Sequence, residues 1–134
     1  GKSDEFCTEL VIFVRDLLLS LSKQPRAIGR GKNGDIVIIE TEIRKLKYGY
    51  WPPEVFRGEV QDEKSLVYTL GAFLIHIITD RSPFHRYEYP QLLYNVGSGN
   101  LLLEPPENCH PLISSIIIDC CRYNPEKRST FQEI

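Results

Sequence analysis

The sequence predicts a mainly α-helical domain with a small β ribbon near its start. From Glu9 to Lys23 apolar residues recur at helical spacing: Leu10, Phe13, Val14, Leu17, Leu18 and Leu21, with Arg15 and Asp16 opposite. A second stretch is apolar nearly all round, through Val67, Leu70, Ala72, Phe73, Leu74, Ile75, Ile77 and Ile78, the mark of a central buried helix. A β-branched run, Asp35 to Glu40, follows Asn33-Gly34, a pair suited to a tight turn with positive φ.

Taken in order, Pro25 ends the first helix, because residues before proline avoid the α region. Residues Gly31 to Gly34 form a turn, Asp35 to Glu40 a strand, and Glu42 to Leu46 a second strand completing the ribbon. Trp51-Pro52-Pro53 is a rigid, extended entry to a short helical turn at Glu54 to Phe56. Asp62 or Ser65 caps the central helix, which runs to about Thr79. Pro83 and Pro90 punctuate the next loop; Gln91 to Asn95 starts a short helix, and Gly97 to Pro106 is loop. Pro111 to Arg122 is an amphipathic helix with Leu112, Ile113, Ile116, Ile117 and Cys120 inward, and Thr130 begins a last helix. No repeat, low-complexity tract or linker interrupts this order.

A chain of 134 residues is one small domain, long enough to bury a core without staples. The net charge of −2 and pI of about 5.9 leave no basic footprint, so nucleic acid is excluded as a partner class. The longest apolar runs, Leu70 to Ile78 and Leu112 to Ile118, are too short for a stable membrane span, and no secretory signal is present. Cys120 and Cys121 are adjacent, Cys7 and Cys109 isolated, and His76, His85 and His110 scattered; neither a disulfide framework nor a zinc site fits. Thiols in a reducing, cytoplasmic compartment are the expectation. The lack of methionine points to an excised domain.

Four motifs run in order through the second half: Trp51-Pro52-Pro53-Glu54, Lys64-Ser65-Leu66-Val67-Tyr68-Thr69-Leu70-Gly71, Arg81-Ser82-Pro83-Phe84, and Cys121-Arg122-Tyr123-Asn124-Pro125-Glu126-Lys127-Arg128-Ser129-Thr130-Phe131. In that order and spacing they resemble the second half of a protein-kinase C-lobe. Pro53-Glu54 matches the end of the family's Ala-Pro-Glu motif, and Arg128 matches the arginine that pairs with this glutamate. A buried carboxylate needs a partner, and a bidentate guanidinium is the best one. The resemblance therefore implies a structural ion pair, Glu54–Arg128. Glu63 to Phe84 resembles the central kinase helix and its Thr-Gly-x-x-Pro-Phe ending, with Asp80 in place of the glycine. Ser129 stands where kinases usually carry proline. Leu66 occupies the position of an aspartate that holds the catalytic loop, and a leucine cannot accept those hydrogen bonds.

Before Trp51 the likeness is looser. Phe13-Val14-Arg15-Asp16-Leu17-Leu18 resembles the helix ahead of the catalytic loop, and the ribbon resembles the one after it. Between them, Lys23 to Arg30 contains no His-Arg-Asp and no correctly placed Asn. The best match to Asp-Phe-Gly is Lys47-Tyr48-Gly49, which puts positive charge where a Mg²⁺ ligand is required. Only Tyr50-Trp51 then precedes Pro-Pro-Glu, leaving no room for an activation loop. Lys47, Tyr48, Gly49 and Leu66 thus read as degenerate catalytic positions. No catalytic, cofactor-binding or metal-ligating set is assigned, and the expectation is that the chain is not an enzyme.

Other signals have bland and sharp readings. Gly29, Gly31 and Gly34 fit G-x-G-x-x-G, but only twenty positions separate Gly34 from Glu54, too few for the rest of a nucleotide-binding lobe. The stretch reads as a turn, with residual nucleotide binding left open. Arg15-Asp16-Leu17 mimics a catalytic loop inside a helical period and reads as a solvated helix face. Leu101-Leu102-Leu103 is a packed connector or an exposed docking patch. Tyr87, Tyr89 and Tyr94, with Phe84, anchor a loop or form an interface. Glu59, Asp62 and Glu63 are a solvated cluster or a site steering basic peptides.

Among kinase relatives the chain is similar to the kinase non-catalytic C-lobe domain (KIND). That family is known from actin-nucleation factors that bind formins and from some phosphatase and exchange-factor scaffolds. The resemblance implies a single kinase C-lobe-like domain over 1–134, with no N-lobe. It would act as a non-catalytic scaffold gripping a formin-type basic peptide through Glu59, Asp62, Glu63, Tyr87, Tyr89, Leu101 and Leu102. Two alternatives stay open: a C-lobe-only pseudokinase that docks onto and regulates an active kinase, and one half of a split kinase whose active residues come from elsewhere.

Overall fold

The computed structural model describes residues 2–22, 42–59 and 62–134. The expected strand at 35–40, the glycine-rich turn and the 23–30 segment lie outside these residues.

Helix α1 (Lys2–Ser22) begins seven residues earlier than its apolar period suggests. Its buried stripe is Cys7, Val11, Val14 and Leu18, at alternating spacings of four and three. Phe13 and Leu17 were expected inside but are 61% and 52% exposed. The helix is apolar over more than half its circumference, and only one stripe can reach the core. The second stripe borders an open apolar cleft of about 330 Å³, shared with Phe73 and Ile77.

The second expected strand, Glu42 to Leu46, is corrected: residues 42–44 are helical and a turn follows. Its bonds are local, Lys45 N–H to Glu42 O at 3.3 Å and Leu46 N–H to Ile43 O at 3.0 Å. The apolar positions explain why. Ile43 and Leu46 are three apart, which suits one face of a turn and not the alternation of a strand. No strand occurs among the described residues, and the architecture there is helical.

A 3₁₀ turn (Tyr48–Tyr50) leads into extended Trp51, and α2 (Pro53–Phe56) starts on a proline at its first turn, where the missing N–H costs nothing. Gly49 is buried against the next loop so closely that a Cβ would lie 1.9 Å from the carbonyl oxygen of Pro83. Backbone must move to admit any side chain, so Gly49→Ala is expected to destabilise the fold by about 2 kcal/mol or more. An unaltered thermal midpoint would contradict this packing.

Helix α3 (Glu63–Thr79) is the centre of the domain. Asp62 caps it, accepting from Lys64 N–H at 2.8 Å, and Asp80 ends it in the left-handed region at φ 57°. Residues 65–72, Leu74 and Ile75 are buried, whereas Ile77 and Ile78 emerge at the last turn. Helix α4 (Tyr89–Asn95) opens with a capping box between Glu88 and Gln91. Helix α5 (Pro111–Cys120) lays Ile113, Ile117 and Cys120 onto α3 and stops short of the expected Arg122. Leu112, expected inward, is exposed, and Ile116 is half-buried. The helices approach closely at Gly71, where a Cβ would meet Cys121 Sγ at 2.4 Å. A 3₁₀ turn (Pro125–Lys127) follows, capped by Asn124. The helix expected from Thr130 is a single turn, closed by reciprocal bonds between Thr130 and Glu133 at 2.8 and 3.2 Å.

All four cysteines are free. Burial, then the charge of Asp119, pushes the Cys120 thiol up to about 12; burial, then its neighbour Cys120, pushes Cys121 up further. Both are packing groups rather than nucleophiles. No described helix is long and apolar enough to cross a membrane.

Candidate functional site

Two segments far apart in sequence meet at a buried ion pair. The Pro-Pro entry turns the chain into α2 and points Glu54 inward; the turn after α5 brings Arg128 to it. Arg128 Nη1 donates to Glu54 Oε2 at 2.7 Å and Nη2 to Oε1 at 2.9 Å, a bidentate fork with both residues about 2% exposed. The guanidinium also donates to the carbonyls of Lys64 (2.9 Å), Arg122 (2.8 Å) and Tyr123 (3.3 Å). A guanidinium has five N–H donors, and these bonds engage all of them. Tyr68 lies beneath it, 5.1 Å from the ring centroid.

Glu54 is matched in turn. Ser65 Oγ donates to its Oε2 at 2.7 Å. Burial alone pushes the carboxyl up, but the hydrogen bonds and charge of Arg128, with Ser65, outweigh it and hold the group below its ordinary range. Sequence reasoning missed Ser65 in this role, considering it only as a cap. Its position in the first turn of α3, facing the Glu54 segment, was invisible without the fold.

Beside the pair, Trp51 and Phe56 form a buried aromatic base, their rings 5.3 Å apart. Trp51 Nε1 donates to Leu46 O at 3.1 Å, and Arg44 lies over its ring at 5.1 Å. Tyr50 is buried against Phe73, its hydroxyl bonded to His76 Nδ1. Tyr48 and Tyr89 sit outermost with centroids 4.5 Å apart. Arg57 ties this region to the far loop, donating to Gly97 O at 2.8 Å and Tyr123 Oη at 2.7 Å.

The other candidate residues fall in separate places. Leu66 is buried in α3, and Lys47 is exposed before the 3₁₀ turn. Among the described residues, no three His, Cys, Asp or Glu side chains gather closely enough to hold a metal. The acidic cluster is engaged locally: Glu59 pairs with Arg57 at 2.6 Å, Asp62 caps α3, and Glu63 stands in the first turn. Leu103 is buried and Leu101 half-buried; Leu102 is exposed beside an open groove of about 390 Å³, near Ile118 and Lys127. Arg15 and Asp16 bond to each other on the surface of α1.

The comparisons with known proteins agree on one family. A model described as protein tyrosine and serine/threonine kinase matches residues 26–134, and the chain belongs to that family. It is similar to the mitogen-activated protein kinase kinase kinase mom-4 of Caenorhabditis briggsae, 37% identical over 60% of this chain and 15% of that protein. A probable serine/threonine-protein kinase of Dictyostelium discoideum is 36% identical over 67% of this chain and 7% of its own length. The serine/threonine-protein kinase CTR1 of Arabidopsis thaliana is 37% identical over 61% and 10%. The chain thus spans at most about one-seventh of these relatives.

These relatives correct the expectation that the chain is not an enzyme, since they are named as kinases. That expectation rested on the missing His-Arg-Asp and Asp-Phe-Gly. Those motifs are missing from a chain that matches only a small fraction of each kinase's length. Among the described residues, Lys47 is exposed and no group of three metal-binding side chains accompanies it.

Proposed function

We propose that this chain is the helical lobe of a protein kinase, one half of a catalytic unit whose phosphate-handling residues lie elsewhere in the longer protein. Its own task is to hold a rigid, protein-facing surface. The whole protein transfers phosphate from ATP to protein hydroxyls, as the names of its relatives suggest. Such transfer is carried by positioning and electrostatics, so the lobe's contribution is geometric. No step of the transfer is derived from residues of this lobe.

The observation that carries the reading is the Glu54–Arg128 pair. With every guanidinium donor engaged, it locks the Trp51–Phe56 segment to the turn after α5. A buried pair of this kind gains little net stability over an apolar substitute, so its value is in fixing one arrangement. The proposal treats 1–134 as a single domain and includes a cytoplasmic location, which four free cysteines support. The KIND reading with a formin-type basic peptide is given up: the relatives are named kinases, and Glu59 and Asp62 already serve Arg57 and the α3 cap.

A thermal-shift comparison tests the division of labour. Millimolar ATP and Mg²⁺ should leave the 134-residue chain unmoved and raise the midpoint of the full-length protein. A ligand at a hundred times its dissociation constant adds about 2.7 kcal/mol, easily read. A clear Mg²⁺-dependent shift of the chain alone would overturn the proposal and direct attention to Gly29, Gly31 and Gly34.

A further inference from the structure

His76, His85 and His110 stand in different bonding environments, and His110 alone is bound to a group that can only donate. It caps α5: its Nδ1 accepts from Leu112 N–H at 3.1 Å, and its carbonyl accepts from Ser114 N–H at 2.9 Å. A main-chain N–H has no lone pair to offer, so Nδ1 must carry its own and hold no proton. Pro111 at the first helical position has no N–H, so the ring and carbonyl of His110 together start the hydrogen-bond ladder of α5. The other two histidines are under no such constraint. His76 Nδ1 meets the Tyr50 hydroxyl, which can either donate or accept. His85 is exposed, with no side-chain hydrogen bond among the described residues.

A proton on His110 acts twice. The new N–H at Nδ1 faces Leu112 N–H, so an acceptor becomes a donor and the cap is lost. The charged ring then sits at the positive end of the helix dipole, where a cation is unfavourable. The ring is half-buried beside exposed Glu107 and Asn108, within reach of water. Its surroundings admit a positive charge. The loop ahead of α5 carries Glu104, Glu107 and Cys109. Helix α1, packed on α5, bears Glu5, Cys7, Glu9, Arg15 and Asp16; α3 bears Glu63, Lys64, Tyr68 and His76. Carboxylates prevail in this set, Arg15 is bonded to Asp16, and Lys64 donates to Arg128 O. On α5 itself, Asp119 stands at the opposite end, bonded to Arg122. The turn that His110 holds contains Ile113, a core residue 2% exposed.

We propose that His110 is an acid-sensitive clasp: neutral, it holds the first turn of α5 on the core; protonated, it releases that turn. Imidazole ordinarily takes up its proton around pH 6.5, so the interval from pH 7.5 to 5.5 spans the change. The closed clasp excludes a proton that the released chain accepts, so its contribution is present at the upper end of the interval and lost at the lower. Glu54, held below its ordinary carboxylate range, stays ionised throughout.

Hydrogen exchange read by mass spectrometry on the full-length protein tests this at pH 7.5 and 5.5, with rates corrected for the intrinsic effect of pH. Wild-type protection of the peptide spanning Pro111 to Cys120 should fall about tenfold at pH 5.5. His110→Asn keeps a cap acceptor that does not titrate, and its α5 protection should be equal at the two pH values. His76→Gln and His85→Asn should retain the wild-type fall. Protection of α3 should hold in every sample, which shows that the fold is intact. Wild-type α5 protection that does not change, an equal fall in His110→Asn, or a fall in α3 as large as that in α5 would overturn the proposal.

Discussion

Replacing Glu54 with alanine is expected to cost the fold about 3–5 kcal/mol, because it leaves a buried guanidinium without its counter-charge. Arg128 sits among main-chain carbonyls and the Tyr68 ring, with no water-facing route for its charge. Ser65 loses its acceptor as well. Urea unfolding reads this as a lower midpoint at constant slope. A loss below about 1 kcal/mol would mean the pair behaves like an exposed one. Replacing both members by apolar residues should be milder than Glu54→Ala alone, since no orphan charge remains. The pair also sets an acid limit. The folded pKa of Glu54 is lowered, so its contribution is fully present above the ordinary value of about 4.3 and lost as pH falls through the folded value.

Leu66→Asp is expected to be as damaging, at about 3 kcal/mol or more. It removes a buried aliphatic group and sets a carboxylate in its place. Leu66 is 2% exposed, between Ser65 and Val67 on the central helix. Resemblance sets it where kinases carry an aspartate that holds the catalytic loop. The outcome therefore bears on chemistry as well as packing. A large drop in midpoint says that no donors await a carboxylate here. An unchanged midpoint would mean that donors do meet it and that the position works as in a catalytic lobe.

What the sequence revealed depended on how local the signal was. The central helix announced itself through an unbroken apolar run, and its two ends through Asp62 and the residues before Pro83. Glu54 and Arg128 were legible as motif residues, but the five-donor saturation and the part of Ser65 were not: Arg128 meets Glu54 and Lys64 across 74 and 64 positions, and Ser65 reaches Glu54 only through the turn of the chain between them. Residues 42–46 were misread because five residues carry too little periodicity to separate a strand from a turn. On α1 the apolar count was right and the face was wrong: Phe13 and Leu17 belong to a second stripe that borders an open cleft among the described residues. The reading as a non-enzyme failed for a different reason. Missing motifs in one segment say nothing about the rest of a longer protein.

Trp51 and Phe56 are buried beside the Glu54–Arg128 pair, so the same lock that closes the domain steadies Tyr48 and Tyr89.

The most direct measurement of the central claim is phosphate transfer from Mg²⁺-ATP to a general protein substrate by the full-length protein, beside its Glu54→Ala variant. The account predicts transfer by the wild type, falling in the variant with the folded fraction. A well-folded full-length protein that transfers no phosphate above background would contradict it.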